Sequence, residues 1–164
     1  MSGQPLSDGA SRAAHYAADR AGDSAIHSAD RRHVFHRQVR FADIDSLGHV
    51  NNVRFFDFLE DARLGMLFVD PVREGGRPHQ GLVVARHEID YRRPLTFRPE
   101  PVRVETWVTE IKPVRFTLAY EIRDDEEVFV QARSVMVAYD VANARPRRLS
   151  EDELAYLKRF SVED

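Results

Sequence analysis

Residues 41–63 read FADIDSLGHVNNVRFFDFLEDAR, and this stretch decides both the fold and the chemistry expected of the chain. Small polar residues crowd its first half: Asp43, Asp45, Gly48, His49, Asn51 and Asn52. They follow a strand-like run and precede a strongly apolar helical one, and they can form a tight turn that brings a carboxylate and backbone N–H groups to a helix N-terminus. Such an arrangement can attack a carbonyl carbon and stabilise the charge on its oxygen.

The composition of the 164 residues excludes several classes of protein. The length suits one domain, and 43% hydrophobic residues can build its core. A net charge of −3 gives no indication of nucleic acid or an anionic membrane as partner. The chain has no Cys, which excludes disulfides and a thiol nucleophile, and it has no HExxH pattern, so we expect no metal site. Without a membrane span or signal peptide, we expect a soluble, cytoplasmic single domain.

Residues 1–32 differ in composition from the rest of the chain. They are rich in Ala, Ser, Gly and Asp and contain few large apolar side chains. Such a segment buries too little apolar surface to offset its ordering entropy. We therefore predict a flexible N-terminal tail over residues 1–32 and one domain over residues 33–164.

The pattern of apolar residues predicts one strand, one long helix, four further strands and a short final helix. The first strand runs over residues 34–41, the helix over residues 53 to about 69, and a loop over residues 70–80. The four later runs alternate as half-buried strands do: Leu82–Tyr91, Val102–Ile111, Arg115–Arg123 and Val128–Tyr139. Ser150 and Glu153 form a capping box for the final helix.

The connections between the later strands are too short for parallel crossovers, so the sheet should be largely antiparallel. The residues between Arg123 and Val128 predict a tight hairpin. One long apolar helix and one amphipathic sheet must bury each other. The sequence therefore predicts a two-layer α+β domain.

The Asp-x-Asp-x-x-Gly-His-Val-Asn-Asn turn between a strand and a buried helix resembles the hotdog-fold acyl-CoA thioesterases, and more narrowly the 4-hydroxybenzoyl-CoA thioesterase family. The resemblance covers about residues 36–150 and is most specific at residues 41–63. The stretches Ile89-Asp90-Tyr91 and Arg93-Pro94-Leu95 and the ending Tyr139-Asp140 add to it. It implies a curved antiparallel sheet of about five strands around the helix. It also implies a homodimer or homotetramer with active sites at a subunit interface. The substrate would be an acyl-CoA, and no cofactor would be needed.

The resemblance also implies roles for particular residues. Asp45 matches the catalytic carboxylate, which acts as nucleophile or as general base toward water. The backbone N–H near Asn52 matches the group that polarises the thioester carbonyl, and Glu60 matches an acidic position further along the helix. In similar thioesterases, basic groups near Lys112 and Arg115 bind the phosphates of CoA.

Simpler interpretations remain open for several of these residues. Asp43 is expected to stabilise the turn rather than to act as a second catalytic acid. His49 suits a catalytic or a turn-stabilising role equally, and Glu60 suits catalysis or a structural interface contact equally. Four other histidines show no spacing typical of metal ligands and are treated as structural or surface residues: His33, His36, His79 and His87.

Two other functions on the same fold are alternatives to hydrolysis: hydration or dehydration, and acyl-CoA binding without catalysis. A hotdog hydratase or dehydratase uses an Asp-x-x-x-x-His spacing, which neither Asp43 nor Asp45 makes with His49. A non-catalytic acyl-CoA-binding domain on the same fold is disfavoured by the presence of Asp45. The sequence leaves the acyl or aroyl group of the substrate open.

Overall fold

The computed structural model describes residues 26–27 and 31–162. Antiparallel pairing joins every strand in this part of the chain, in the order β1-β2-β4-β5-β6-β3, with β7 added beside β6. The strands are β1 (Ile26–His27), β2 (Arg32–Arg37), β3 (Leu82–Tyr91), β4 (Val102–Ile111), β5 (Arg115–Arg123), β6 (Val128–Asp140) and β7 (Arg145–Pro146). The helices are α1 (Arg54–Leu64), α2 (Asp70–Arg73) and α3 (Glu151–Lys158).

The long helix of the structure extends further than the sequence pattern predicted. α1 continues through a π-helical turn, Gly65–Val69, directly into α2. Pro71 is accommodated because it lies in the first turn of α2, where its missing N–H is not needed. The loop predicted from Asp70 therefore begins only after Arg73. The first strand, in turn, ends at Arg37, because residues 41–43 form a 3₁₀ turn instead.

The core lies between α1 and the inner face of the sheet. Side chains of the helix that are fully shielded from solvent meet buried residues of β4, β5 and β6. On the helix side these residues are Phe58, Leu59, Ala62, Met66 and Leu67. A curved antiparallel sheet around one long helix confirms the α+β hotdog architecture.

Two buried polar pairs fix the helical segment on β2. The Arg37 guanidinium lies 2.8 Å from the Asp61 carboxylate and over the ring of Phe58. His33 Nε2 lies 2.8 Å from Asp70 Oδ2. Because unpaired charges are strongly disfavoured in an interior, each pair constrains how the helix sits on the strand.

The predicted N-terminal tail falls mostly outside the described residues. Ile26–His27 pair with Arg32 and His33, and the Arg31 side chain donates a hydrogen bond to the Ser161 carbonyl. The last part of the segment thus contacts the domain. Its flexibility and the boundary at residue 32 stay predictions.

Candidate active site

The polar loop folds back on itself just before α1. A β-bridge joins Ile44 to Val50, and the Asp45 N–H donates to the His49 carbonyl at 3.0 Å. Gly48 closes the turn with φ +78°, a conformation that glycine adopts without strain, and its N–H donates to the Asp45 carbonyl. The loop thus has a defined backbone that holds Asp45 in one place.

One of the two carboxylate oxygens of Asp45 is held by a hydrogen bond. Its Oδ1 accepts a hydrogen bond from the Leu47 N–H at 2.9 Å, and the side chain is partly buried. Within the described residues, no donor bonds to its other carboxylate oxygen. One oxygen therefore orients the group, while the other remains available for chemistry.

The start of α1 lies directly after this loop. The Asn51 side-chain oxygen accepts from the Val53 N–H at 3.0 Å, and its carbonyl accepts from the Arg54 N–H at 2.8 Å. The Asn52 N–H makes no hydrogen bond to the residues that the structure describes, while its carbonyl accepts from the Tyr91 hydroxyl at 3.1 Å. Asn51 thus orders the helix start, and Tyr91 anchors Asn52 with its N–H free to donate.

Asp43 sits beneath the loop as a structural group. Its buried carboxylate accepts hydrogen bonds from the Arg40 backbone N–H at 2.9 Å and from the Arg40 guanidinium at 2.8 Å. Burial raises the pKa of Asp43, but the Arg40 hydrogen bonds and charge outweigh it and lower the pKa below its ordinary value. These contacts support the turn-stabilising role expected for Asp43.

The lowered pKa of Asp43 predicts a pH-dependent contribution to stability. A carboxylate whose pKa is lower in the folded protein stabilises it fully above the ordinary value of 3.8, and this contribution is lost as the pH falls through the folded-state pKa. We expect Asp43→Asn to lower the free energy of unfolding at pH 7, with a smaller difference from wild type at pH 3. Urea unfolding at both pH values measures this, and an equal difference at both would contradict it.

His49 and Glu60 occupy different positions relative to Asp45. His49 stabilises the loop through its backbone, which accepts from Asp45 and bridges to Thr96. Glu60 is exposed on α1, eight residues beyond Asn52, or roughly 12 Å along the helix. Its charge acts on His87 of β3. Glu60 therefore belongs to the surface between α1 and β3 rather than to the loop.

Lys112 and Arg115 lie at the opposite end of the sheet from Asp45. They flank the turn after β4, whereas the loop follows the end of β2 that pairs with Val102 at the start of β4. Both are near the Glu110 carboxylate, at 3.3 Å and 3.9 Å. A single chain therefore does not bring these two residues to Asp45.

Sequence reasoning gave no role to several groups that shape the site. The Leu95 carbonyl accepts the Val50 N–H at 2.7 Å, so the segment after β3 supports the loop. Arg40 and Tyr91 hold Asp43 and Asn52. The Arg93-Pro94-Leu95 stretch contributed to the family resemblance. It was the sequence feature that could have indicated that this segment supports the loop.

Neither a metal site nor a membrane span emerges from the described residues. Residues 26–27 and 31–162 contain no group of three His, Asp or Glu side chains placed to hold a metal ion. No helix in the same part of the chain is long and apolar enough to cross a membrane.

The fold and the loop together define a hotdog-type thioesterase. A family model described as the thioesterase-like superfamily matches residues 39–157. The chain therefore belongs to the thioesterase-like superfamily, and its enzyme class is thioester hydrolase. No curated protein matches the sequence.

Solved structures give the same assignment. A thioesterase from Thermus thermophilus complexed with coenzyme A and zinc is 28% identical, with a TM-score of 0.65 over 79% of this chain and 94% of that one. A probable thioesterase from Bartonella henselae is 26% identical, with a TM-score of 0.61 over 73% of this chain and 98% of that one. A predicted thioesterase from Bacillus stearothermophilus is 23% identical, with a TM-score of 0.68 over 80% of this chain and 97% of that one. This likeness supports the fold.

Proposed function

We propose that this protein hydrolyses an acyl-CoA or aroyl-CoA thioester to the free acid and CoA. The observation that carries the proposal is that two groups, one in the polar loop and one at the helix start that follows it, have no hydrogen-bond partner among the described residues. These are the second carboxylate oxygen of Asp45 and the backbone N–H of Asn52. The similar Thermus thioesterase that is complexed with coenzyme A supports CoA as the thiol part of the substrate.

The chemistry requires a group that attacks the carbonyl carbon and a donor for its oxygen. As general base, Asp45 takes a proton from water while the hydroxyl oxygen adds to that carbon. As nucleophile, its free oxygen adds directly and forms a mixed anhydride, which water then hydrolyses. In both routes the Asn52 N–H donates to the developing oxyanion, the C–S bond breaks and the CoA sulfur takes up a proton.

The edge of the sheet supports a dimer as the working unit. Among the described strands, β3 pairs only with β6, so its other edge is open. Val83, Val84 and Tyr91 on this strand are each at least 40% exposed. Because a long open edge with apolar side chains favours pairing, we propose that two copies join through β3 about a two-fold axis.

In this dimer, Lys112 and Arg115 of one subunit would lie near the active site of the other. In an antiparallel β3 pair, the Leu82 end of one strand meets the Tyr91 end of the other. Tyr91 contacts Asn52, whereas the Leu82 end lies on the same side of the sheet as Arg115. Lys112 and Arg115 of the partner subunit would then face the substrate bound at Asp45.

Charge reversal tests the proposed CoA-binding residues. We expect Lys112→Glu and Arg115→Glu to raise KM for an acyl-CoA while kcat changes little, because phosphate contacts lie far from the reacting carbon. Hydrolysis of a short thioester without the nucleotide should be nearly unaffected. Steady-state kinetics on both substrates measures this, and Arg148→Glu, a change at another exposed arginine, is the control. Equal damage to both substrates would assign Lys112 and Arg115 to structure.

The family within the superfamily is also part of the proposal. The Asp45 loop and the residues around Arg93 support the 4-hydroxybenzoyl-CoA thioesterase family. His49 would then act from within the loop and Glu60 from the surface between α1 and β3.

A further inference from the structure

The inner face of the sheet is covered unevenly by α1. The helix packs mainly on β4 and β2. On the other half of the sheet, His87 and Ile89 of β3 remain half-exposed, and the Phe56 ring contacts the His87 ring at 5.4 Å. Arg63 lies close enough to act on both His87 and Tyr120, and Ser134 bonds to His87, so these side chains form one cluster between α1 and this half of the sheet. We call this cluster, together with Phe56, the acyl cleft.

Arg63 brings an unpaired positive charge into the acyl cleft. Its side chain comes from the last turns of α1 and is only 8% exposed. Its Nη1 has no hydrogen-bond partner, and no carboxylate of the described residues lies within ion-pair distance. The other buried guanidinium of this interior, that of Arg37, has the Asp61 carboxylate at 2.8 Å. Because arginine stays protonated, burying it without an anion is strongly unfavourable.

The neighbours of Arg63 are neutral hydrogen-bonding groups. The Tyr120 hydroxyl is buried beside Arg63 and Ser134, close enough to interact with both, but it makes no hydrogen bond of good geometry to the described residues. Ser134 Oγ lies 2.7 Å from His87 Nδ1. Burial lowers the pKa of His87, and the Arg63 charge lowers it further, against the opposing charge of Glu60. The cluster thus offers one cation and several donors, while the Glu60 carboxylate stays exposed on the outside.

The cluster is placed where the far end of an acyl group would reach. Arg63 follows Asn52 by eleven residues, which is about 16 Å along the helix axis. Helical side chains lean toward the N-terminus, so the guanidinium lies closer to the carbonyl site than its Cα does. The Arg63 side chain covers part of this distance, and an acyl chain of medium length covers the remainder.

We propose that the preferred substrate carries a carboxylate at the distal end of its acyl group, bound by Arg63 with Tyr120 and Ser134. This inference rests on the proposed thioester hydrolysis at Asp45. A substrate carboxylate would supply the anion that Arg63 lacks, and a planar guanidinium can bind it through two parallel hydrogen bonds. Arg63 is thereby a specificity-determining residue that sequence reasoning did not identify.

Matched substrates test the assignment. We expect the wild type to hydrolyse suberyl-CoA with a kcat/KM at least ~100-fold above that for octanoyl-CoA, because a site built for a charged group rejects the analogue lacking it. Adipyl-CoA against hexanoyl-CoA should show the same preference. In Arg63→Met the ratio should fall to about one or reverse, whereas Arg148→Met, which removes an exposed charge, should keep it. A wild type that prefers octanoyl-CoA, or an Arg63→Met variant that keeps the wild-type ratio, would overturn the proposal.

A binding measurement separates this inference from the hydrolysis that it assumes. Non-hydrolysable thioether analogues of suberyl-CoA and octanoyl-CoA can be titrated by calorimetry into the wild type and into Ser134→Ala, a milder change if Arg63→Met fails to fold. Tighter binding of the carboxylated analogue, weakened selectively in Ser134→Ala, supports the proposal even if no thioester is hydrolysed. Equal binding of both analogues would overturn it even in an active thioesterase.

Discussion

Asp45→Asn is expected to abolish thioester hydrolysis while leaving the fold intact. The amide oxygen can still accept the Leu47 N–H, so the loop keeps its geometry. The amide can neither take a proton from water nor attack a carbonyl effectively. A general base typically contributes ~10²–10⁴-fold, and we expect kcat to fall by at least this much. Release of free thiol from the best acyl-CoA measures the loss, and circular dichroism checks the fold.

Asp43→Asn is the matched control for this prediction. It makes the same chemical change two residues away, at a carboxylate bound by Arg40 and buried beneath the loop. We expect a smaller loss of activity than in Asp45→Asn and a larger loss of stability. An inactive Asp43→Asn beside an active Asp45→Asn would show that the catalytic carboxylate is wrongly assigned. Full activity of both variants would exclude a carboxylate mechanism.

Val84→Asp is expected to dissociate the proposed dimer and to remove most of the activity toward acyl-CoA. The change replaces a 40% exposed apolar side chain on the open edge of β3 by a charge, which opposes edge-to-edge pairing. If the partner's residues complete the site, substrate is no longer positioned. A small misplacement of reacting groups can cost ~10²-fold, and we expect a loss of this order.

Light scattering measures the assembly directly. The wild type should have a mass of at least two chains of 18.9 kDa, and Val84→Asp should approach one. Val141→Asp makes the same change at a 74% exposed residue after β6 and should remain assembled and active. A wild type that is monomeric at micromolar concentration would contradict the interface active site.

Local patterns predicted most of the elements. The alternation in β5 and the short polar turn before Val128 predicted an antiparallel hairpin, which the structure confirms. The Ser150 and Glu153 capping box is also formed. Such features depend on residues that are close in the sequence, and their periodicity is visible without knowledge of the tertiary structure.

Features that depend on distant residues could not be predicted. The sequence pattern predicts that the helix ends near residue 69, but after the π-helical turn it continues into α2, Asp70–Arg73, beyond its apolar pattern. The sequence does not show that His87 pairs across strands with Ser134 and lies near Arg63. The distance between Asp45 and Lys112 follows from strand register, which the spacing of the two residues does not reveal.

The central claim, that this chain is an acyl-CoA thioesterase acting through Asp45, is tested most directly by free-thiol release from a panel of acyl- and aroyl-CoAs. The panel should include alkyl, aryl and carboxylated acyl groups, and wild type and Asp45→Asn should be compared at equal concentration. We expect rapid release by the wild type from at least one substrate and almost none by Asp45→Asn. Binding of acyl-CoA without thiol release from any substrate would contradict the claim and favour a non-catalytic acyl-CoA-binding domain.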